Sequence, residues 1–296
     1  MIKITMPKSL TKYTINKISM AVFDQNLRPK DNEFEIDLRT VEFLEPAGIA
    51  FLYNLCMWGR IHNEVDFTFE INTINPSYKN RQAMLFLEDV GFFKEFFDQE
   101  IFKTQCLRDT TLEVKMIAVK EYYQWSQYSL LTWLRNCTKR EDSFSNILVA
   151  VEEIFNNIGD HSNENVGCVF GQFFPRRDII TIAICDFGKG IPSAMRKKYP
   201  EYSDLKLLKT ALIEGESTRS TPRNRGAGLP NIIKSITNSQ IGTVHILSNY
   251  AKIRIEDQLQ QGLPSKEYYP GTLLELEIDI ANLALYEPEE EEEFEW

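Results

Sequence analysis

A carboxylate, an amide and an imidazole recur at four-residue spacing within residues 143–162. Glu153, Asn157 and His161 each follow the previous one by four positions, so on a helix they are rotated by about 40° from one another and share one ridge. A carboxylate can take a proton from an attacking hydroxyl, and an amide oxygen can hold a hard cation. The ridge is therefore either a site for such chemistry or a solvated polar face.

The apolar residues of the same segment predict the helix that would carry this ridge. They recur at three- and four-residue spacing, as in an amphipathic helix that packs on a core. They are Phe144, Ile147, Leu148, Val151, Ile154, Phe155 and Ile158. Asp142 or Ser143 can cap the start of the helix, and Gly159 is a point of loosening near its end.

Two glycine-containing segments follow this helix. Residues 178–191 form a β-branched run that ends in the sequence DFGKG, and residues 225–232 read RGAGLPNI. Asp186, at the end of the predicted strand, can accept a hydrogen bond from a base, and nearby glycines let the backbone come close to it. Gly226 and Gly228 precede a predicted helix, whose first N–H groups suit phosphate oxygens.

Three motifs follow one another within about 80 residues: a helix with an acid and an asparagine, then Asp-x-Gly-x-Gly, then Gly-x-Gly-Leu. This order resembles the GHKL nucleotide-binding superfamily. That group includes gyrase-type and MutL-like ATPases, histidine kinases and anti-sigma-factor serine kinases. The resemblance implies ATP and Mg²⁺ as ligands, with Glu153 as general base, Asn157 as the Mg²⁺ ligand and Asp186 at the adenine. It also assigns to the nucleotide site His161, Gly188, Gly190, Ile191, Arg225, Gly226, Gly228, Leu229 and Thr272.

Two alternatives stay open at this site. Glu152 competes with Glu153 for the role of the acid, because it stands four residues before Asn156. The four-residue spacing that continues to His161 favours Glu153. The polar stretch over residues 214–225 is either a disordered loop or a mobile lid. Its arginines either contact phosphates or are solvated.

Residues 1–105 alternate strand and helix patterns, which predicts a small α/β domain. Within it, residues 41–52 (VEFLEPAGIAFL) follow a strand and resemble the STAS domain of anti-sigma-factor antagonists. In that family a serine at a helix N-terminus is phosphorylated, and here Pro46 takes its position. Proline suits the first turn of a helix but accepts no phosphate. A generic α/β domain with a proline-started helix is the alternative.

We therefore predict an α/β (α+β) chain in three parts. Residues 1–105 form the STAS-like α/β domain. Residues 106–284 form a GHKL-type ATP-binding α/β sandwich, in which helices cover one face of a mixed sheet. Residues 285–296 form an acidic, disordered tail. In the second part we expect strands over residues 111–119, 167–174, 179–185, 242–247, 252–256 and 272–280.

Composition excludes several classes of function. The net charge is −10, but seven glutamates between Glu287 and Glu295 supply most of it, so no broad basic face for nucleic acid is expected. Five widely spaced cysteines without a CxxC pair indicate neither a zinc site nor a disulfide framework. Because no window resembles a signal peptide or a membrane span, we expect a cytoplasmic protein that binds neither membrane nor nucleic acid.

These features predict a Mg-ATP-binding regulatory protein, which is a serine/threonine kinase or an ATPase of the partner-switching type. Because Pro46 removes the acceptor in the chain itself, a kinase substrate would be a separate protein. A regulatory partner could bind through the STAS-like domain, and a homodimer stays open. The alternative is a non-catalytic switch in which bound nucleotide controls a protein interaction.

Overall fold

The chain has a mixed α/β fold in the computed structural model, which describes residues 1–24, 26–97, 101–102, 107–142, 144–161, 165–216, 228–257 and 259–283. The strands are, in chain order, β1 (Ile2–Thr5), β2 (Ser9–Leu10), β3 (Glu33–Asp37), β4 (Phe43–Leu44), β5 (Asp66–Glu70), β6 (Thr111–Ala118), β7 (Val166–Phe174), β8 (Ile179–Asp186), β9 (Gly242–Glu256) and β10 (Leu259–Asp279). They form a parallel sheet in the order β1-β3-β5, a β2-β4 pair, and an antiparallel sheet in the order β6-β7-β8-β10-β9.

The helices of the described residues are α1 (Ile15–Val22), α2 (Pro46–Asn63), α3 (Tyr78–Asp89), α4 (Phe92–Phe97), α5 (Tyr122–Trp125), α6 (Leu131–Thr138), α7 (Ser145–His161), α8 (Ile191–Met195), α9 (Asp204–Ala211), α10 (Gly228–Thr237) and α11 (Ile280–Leu283). A π-helical turn, Ser126–Leu130, joins α5 to α6. In this part of the chain no helix is both long and apolar enough to cross a bilayer.

Both faces of the five-stranded sheet are covered, as strand β8 illustrates. Ile182 and Ile184 belong to the core that also contains the apolar stripes of α7 and α10. Cys185 and the following Phe187 point to the other face and belong to the core of the N-terminal unit, residues 1–97. This explains why β8 reads as a continuous apolar run, since a strand buried on both faces needs no polar alternation.

Helix α2 of the N-terminal unit lies on that second face, where it contacts β7 and β8. It begins at Pro46, whose missing N–H costs nothing at the first helical position. The next N–H, from Ala47, donates to the carboxylate of Glu275 on β10 over 3.1 Å. A carboxylate is favoured at a helix N-terminus, so β10 caps α2 and fixes where the N-terminal unit sits.

A buried ion cluster surrounds this cap. The ammonium of Lys12 lies 2.6 Å from Glu275 and 3.0 Å from Glu277, and His245 Nε2 lies 3.2 Å from Glu277. Burial raises the pKa of Glu275, whereas the hydrogen bond from His245, with help from Lys12, lowers the pKa of Glu277 to about 2. The cluster ties the N-terminal unit to β9 and β10 by charge as well as by packing.

Strands β9 and β10 are longer than the sequence predicts. Two strands were expected over residues 242–247 and 252–256, but β9 is continuous, because the chain bulges at Asn249 without leaving the sheet. Asn249 has a φ of +49°, and the register with β10 shifts beside it. Strand β10 begins at Leu259, well before the predicted start at residue 272.

Candidate functional site

Helix α7 turns Glu153 and Asn157 toward the first residue of helix α10. A Cβ atom at Gly228 would lie 3.1 Å from Glu153 Oε2 and 3.4 Å from Asn157 Oδ1. The two helices pack together because their apolar residues share one core above the sheet. Two members of the predicted polar ridge, Glu153 and Asn157, therefore form one wall of a cleft, and the start of α10 forms the other.

Asn157 has a buried hydrogen-bond donor that is available to a ligand. Its Nδ2 is buried and has no hydrogen-bond partner among the described residues. An unsatisfied buried amide costs about 1–3 kcal/mol, and a bound phosphate or water could remove that cost. Its Oδ1 and Glu153 Oε2 both border the space that the missing side chain of Gly228 leaves, which we call the gap at Gly228.

Glu152 lies on a different side of α7. Its side chain is exposed, and its Oε1 accepts a hydrogen bond from the Tyr122 hydroxyl over 3.2 Å. The Tyr122 ring stacks on Phe155, with centroids 5.5 Å apart, and burial together with the Glu152 carboxylate raises the pKa of Tyr122. Of the two acids, only Glu153 faces the same gap as Asn157.

Strand β8 brings Asp186 to the floor of this cleft. Asp186 is buried, and its Oδ1 accepts a hydrogen bond from the Gly188 N–H over 2.7 Å. The register pairs Asp186 with Thr272 on the neighbouring strand β10, so a carboxylate and a hydroxyl stand side by side on one face. The Thr272 hydroxyl donates to Ser248 Oγ, 3.0 Å away, because the Ser248 proton goes to the Gly271 carbonyl. The pair therefore offers hydrogen-bond acceptors to the polar edge of a ring.

The loop after β8 is held in shape by Ser248. Its hydroxyl accepts from the Ile191 N–H over 2.9 Å and donates to the Gly271 carbonyl over 2.8 Å. Gly190 has a φ of +79°, and a Cβ there would come within 2.8 Å of Ser248 Oγ. Only glycine fits both this conformation and this space.

These segments enclose one cavity above the sheet. It is lined by Ile154, Asn157, Ile158, Asp186, Gly190, Ile191, Leu229, Thr272 and Leu274. Its volume of about 30 Å³ suffices for a single water, so a larger ligand requires some of these lining residues to move. A wider, more polar depression of about 530 Å³ lies near Arg254 and Asp279, but no predicted site residue lines it.

Some predicted positions lie outside the described residues. These are Arg225, Gly226, the side chain of His161, most of the lid expected over residues 214–225, and the acidic tail over residues 285–296. Gly228 is among the described residues and opens α10.

The cleft offers oxygen atoms to a hard cation. Asn157 Oδ1 and Glu153 Oε2 both border the gap at Gly228, and Mg²⁺ prefers a few such oxygens together with phosphates and waters. A second group of ligand atoms, His245, Glu275 and Glu277, lies on the opposite face of the sheet. The ammonium of Lys12 already sits between its carboxylates, which leaves no reason for a metal there.

Three contributors were missed by the sequence interpretation. Ser248 follows a predicted strand and carries no motif of its own. Asn231 donates from Nδ2 to Glu153 Oε1 over 3.3 Å, and its place three residues after Gly228, on the same helix face, is a signal that could have revealed it. Phe187, inside the DFGKG motif, packs into the N-terminal unit.

Neither a model of a known protein family nor a curated protein matches this chain. The interpretation of the site therefore depends on its residues and their geometry.

Proposed function

We propose that this chain binds Mg-ATP and acts as a regulatory protein of the GHKL type, which transfers the γ-phosphate to a serine or threonine of another protein, or to water. The observation that carries this proposal is the meeting of separate motif segments around one cavity: Asn157 from α7, Asp186 from β8, Leu229 from α10 and Thr272 from β10. A generic amphipathic helix would have no reason to bring these particular residue types together.

Each side chain then has a role that its position supports. Asp186 and Thr272 hold the polar edge of the adenine, and the first N–H groups of α10 donate to phosphate oxygens. Asn157 holds the cation through Oδ1; when bound, Mg²⁺ supplies positive charge to the phosphates. Glu153 receives the proton of the attacking hydroxyl.

The N-terminal unit supports the partner-switching part of the proposal. Its parallel sheet and the start of α2 at Pro46 agree with the STAS resemblance. Pro46 offers no hydroxyl, and the next N–H is already bonded to Glu275. If the acceptor is a protein hydroxyl and not water, we therefore expect it to belong to a different protein.

A second candidate, the nucleotide-gated interaction switch without catalysis, is favoured by Phe187. This residue follows Asp186 directly but lies in the core shared with the N-terminal unit. A ligand that moves the end of β8 would therefore disturb that core, whether or not the phosphate is transferred.

Calorimetry with Mg-ATP tests the binding site. We expect Asp186→Asn to abolish measurable binding, because the single amide oxygen would stay with the Gly188 N–H and the NH₂ group would face the adenine amino group, donor against donor. Unchanged affinity would contradict the assignment of the base pocket.

Turnover separates the two candidates, with the neighbouring acid as a matched control. We expect Glu153→Gln to retain nucleotide affinity and to lose on the order of a hundred- to ten-thousand-fold in phosphate release or protein labelling. Glu152→Gln should behave like the parent, since Glu152 bonds Tyr122 away from the gap. A parent protein that binds Mg-ATP without turnover, alone or with captured partners, would favour the switch.

A further inference from the structure

We propose that Asn231 is a positioning residue for Glu153, and that Oε2 of Glu153 is the oxygen that takes the proton. This inference rests on the proposed function, because it concerns the same site. It adds a residue from the helix that follows the glycine motif.

The contact joins helices α10 and α7. Asn231 Nδ2 donates to Glu153 Oε1 over 3.3 Å, and both side chains are half-buried. A hydrogen bond to an ionised group is stronger than one between neutral groups, because the carboxylate charge attracts the donor. The bond therefore holds one carboxylate oxygen and leaves the second available.

The torsion that turns a glutamate carboxylate is broad and has few preferences of its own. Without an anchor, either oxygen of Glu153 could face the gap at Gly228. With Oε1 bonded to Asn231, Oε2 lies next to that gap, 3.1 Å from where a Gly228 Cβ would be. Asn231 thus determines which carboxylate oxygen of Glu153 takes the proton.

Helix α10 can hold Asn231 in place because its first turn is well packed. Leu229, Pro230 and Ile232 are buried around it. Asn231 stands three positions after Gly228, so its side chain and the glycine gap lie on one face of the helix. The glycine makes room for the reacting groups, and the asparagine orients the base beside them.

The step that Glu153 assists is a phosphoryl transfer. The oxygen of water or of a serine or threonine hydroxyl forms a bond to the γ-phosphorus, while the bond from that phosphorus to the β–γ bridging oxygen breaks. ADP leaves with that electron pair, and the proton of the attacking hydroxyl passes to Glu153 Oε2. A misdirected carboxylate would slow this step without weakening nucleotide binding.

The test replaces the amide in the full-length protein and follows turnover with Mg-ATP. Asn231→Leu keeps the approximate size of the side chain but cannot donate, and we expect kcat to fall by about ten- to a hundred-fold while the KM for ATP changes less than three-fold. Asn231→Gln, which restores an amide donor, should recover part of the loss. Ser235→Ala, one turn further along α10, is the matched control and should match the parent.

A double-mutant cycle asks whether Asn231 acts through Glu153. In the Glu153→Gln background, Asn231→Leu should cause no further fall in kcat, because the base is already lost. Independent, multiplicative losses would overturn the positioning role, and so would normal turnover of Asn231→Leu alone.

A readout without turnover tests the contact itself. In a ¹H–¹⁵N spectrum, the side-chain amide signals of Asn231, assigned by their disappearance in Asn231→Leu, should shift in Glu153→Gln and not in Glu152→Gln. Unshifted signals would overturn the inference even if the enzyme is active. A parent that shows the shift but never turns over ATP would overturn the proposed catalysis and, with it, the choice of Oε2 as the base.

Discussion

Phe187 is the residue whose replacement should affect the stability of the fold and the proposed nucleotide site together. Its ring is 2% exposed, and it makes edge-to-face contacts on the side of the sheet opposite the cavity. Its aromatic neighbours, with centroid distances, are Phe51 at 6.0 Å, Trp58 at 6.0 Å, Tyr269 at 6.1 Å and Phe23 at 6.5 Å. Asp186, one residue earlier, faces the cavity.

Phe187→Ala should therefore lower the free energy of unfolding by about 4–5 kcal/mol. Buried phenylalanine-to-alanine changes cost about 3–5 kcal/mol, and the upper end applies because large rings on several sides cannot collapse into the space. Urea unfolding measures this loss. Because the loop after Asp186 loses one of its two anchors and keeps only the bonds to Ser248, the affinity for Mg-ATP should also fall by at least ten-fold, measured by calorimetry where the variant is folded.

Phe93→Ala is the control for that second effect. Phe93 is also fully buried, but its ring contacts Phe92, Phe97 and Phe102 within the first part of the chain. It should cost similar stability and leave nucleotide affinity unchanged. Equal losses of affinity in both variants would refute the argument, since the effect would then follow general destabilisation and not the anchor of the loop.

Three further outcomes test other parts of the structure. Gly228→Ala should lower turnover at least ten-fold with little change in unfolding free energy, because its Cβ would lie 3.1 Å from Glu153 Oε2; activity and urea curves together check this. Lys12→Met should cost about 3–5 kcal/mol of stability, since it leaves the buried carboxylate of Glu275 without its cation, and a Lys12→Met/Glu275→Leu pair should recover only part of it, because the Ala47 N–H then loses its acceptor. Because the folded-state pKa of Glu277 is lowered to about 2, its contribution to stability is present above its unfolded value and is lost as pH falls toward 2; Glu277→Gln should flatten this acid limb in stability measured against pH.

The sequence predicted the elements whose patterns are local. Helix α7 spans Ser145–His161, inside the predicted residues 143–162, because its apolar spacing is regular over many turns. Strands β7 and β8 also agree with the strands expected over residues 167–174 and 179–185, since both are rich in β-branched and aromatic residues around a polar turn. The early half of β10, with its many polar residues, gave no such signal. Its pairing with β9 depends on a partner strand and not on its own pattern.

Within the site, the residues of recognisable motifs were predicted, and those held by tertiary contacts were not. Asn157 and Asp186 stand in motifs, and they line the same cavity. Ser248 bonds the loop only because β9 happens to run beside it in space, which no spacing in the sequence encodes. Asn231 lay inside a segment that was interpreted through its glycines alone.

The position of the N-terminal unit on the sheet could not be predicted from the sequence either. The continuous apolar run of β8 indicates that both faces of its sheet are buried, but it does not say what covers the second face. That information lies in pairs such as Ala47 with Glu275, which are 228 positions apart in the chain. Neither residue stands in a local sequence pattern that would reveal the contact.

The alternation of β8 links the two candidate functions physically. Asp186 and Phe187 are consecutive, so they point to opposite faces of one strand end; one lines the cavity and the other packs in the core of the N-terminal unit. We therefore expect a nucleotide that changes the position of Asp186 to change the packing of Phe187 as well. Coupling between two binding sites is reciprocal. If nucleotide changes the affinity of the N-terminal unit for a partner protein by shifting this core, that partner changes the affinity for nucleotide by the same factor. An enzyme and a nucleotide-gated switch would use the same device, and only the proton transfer at Glu153 distinguishes them.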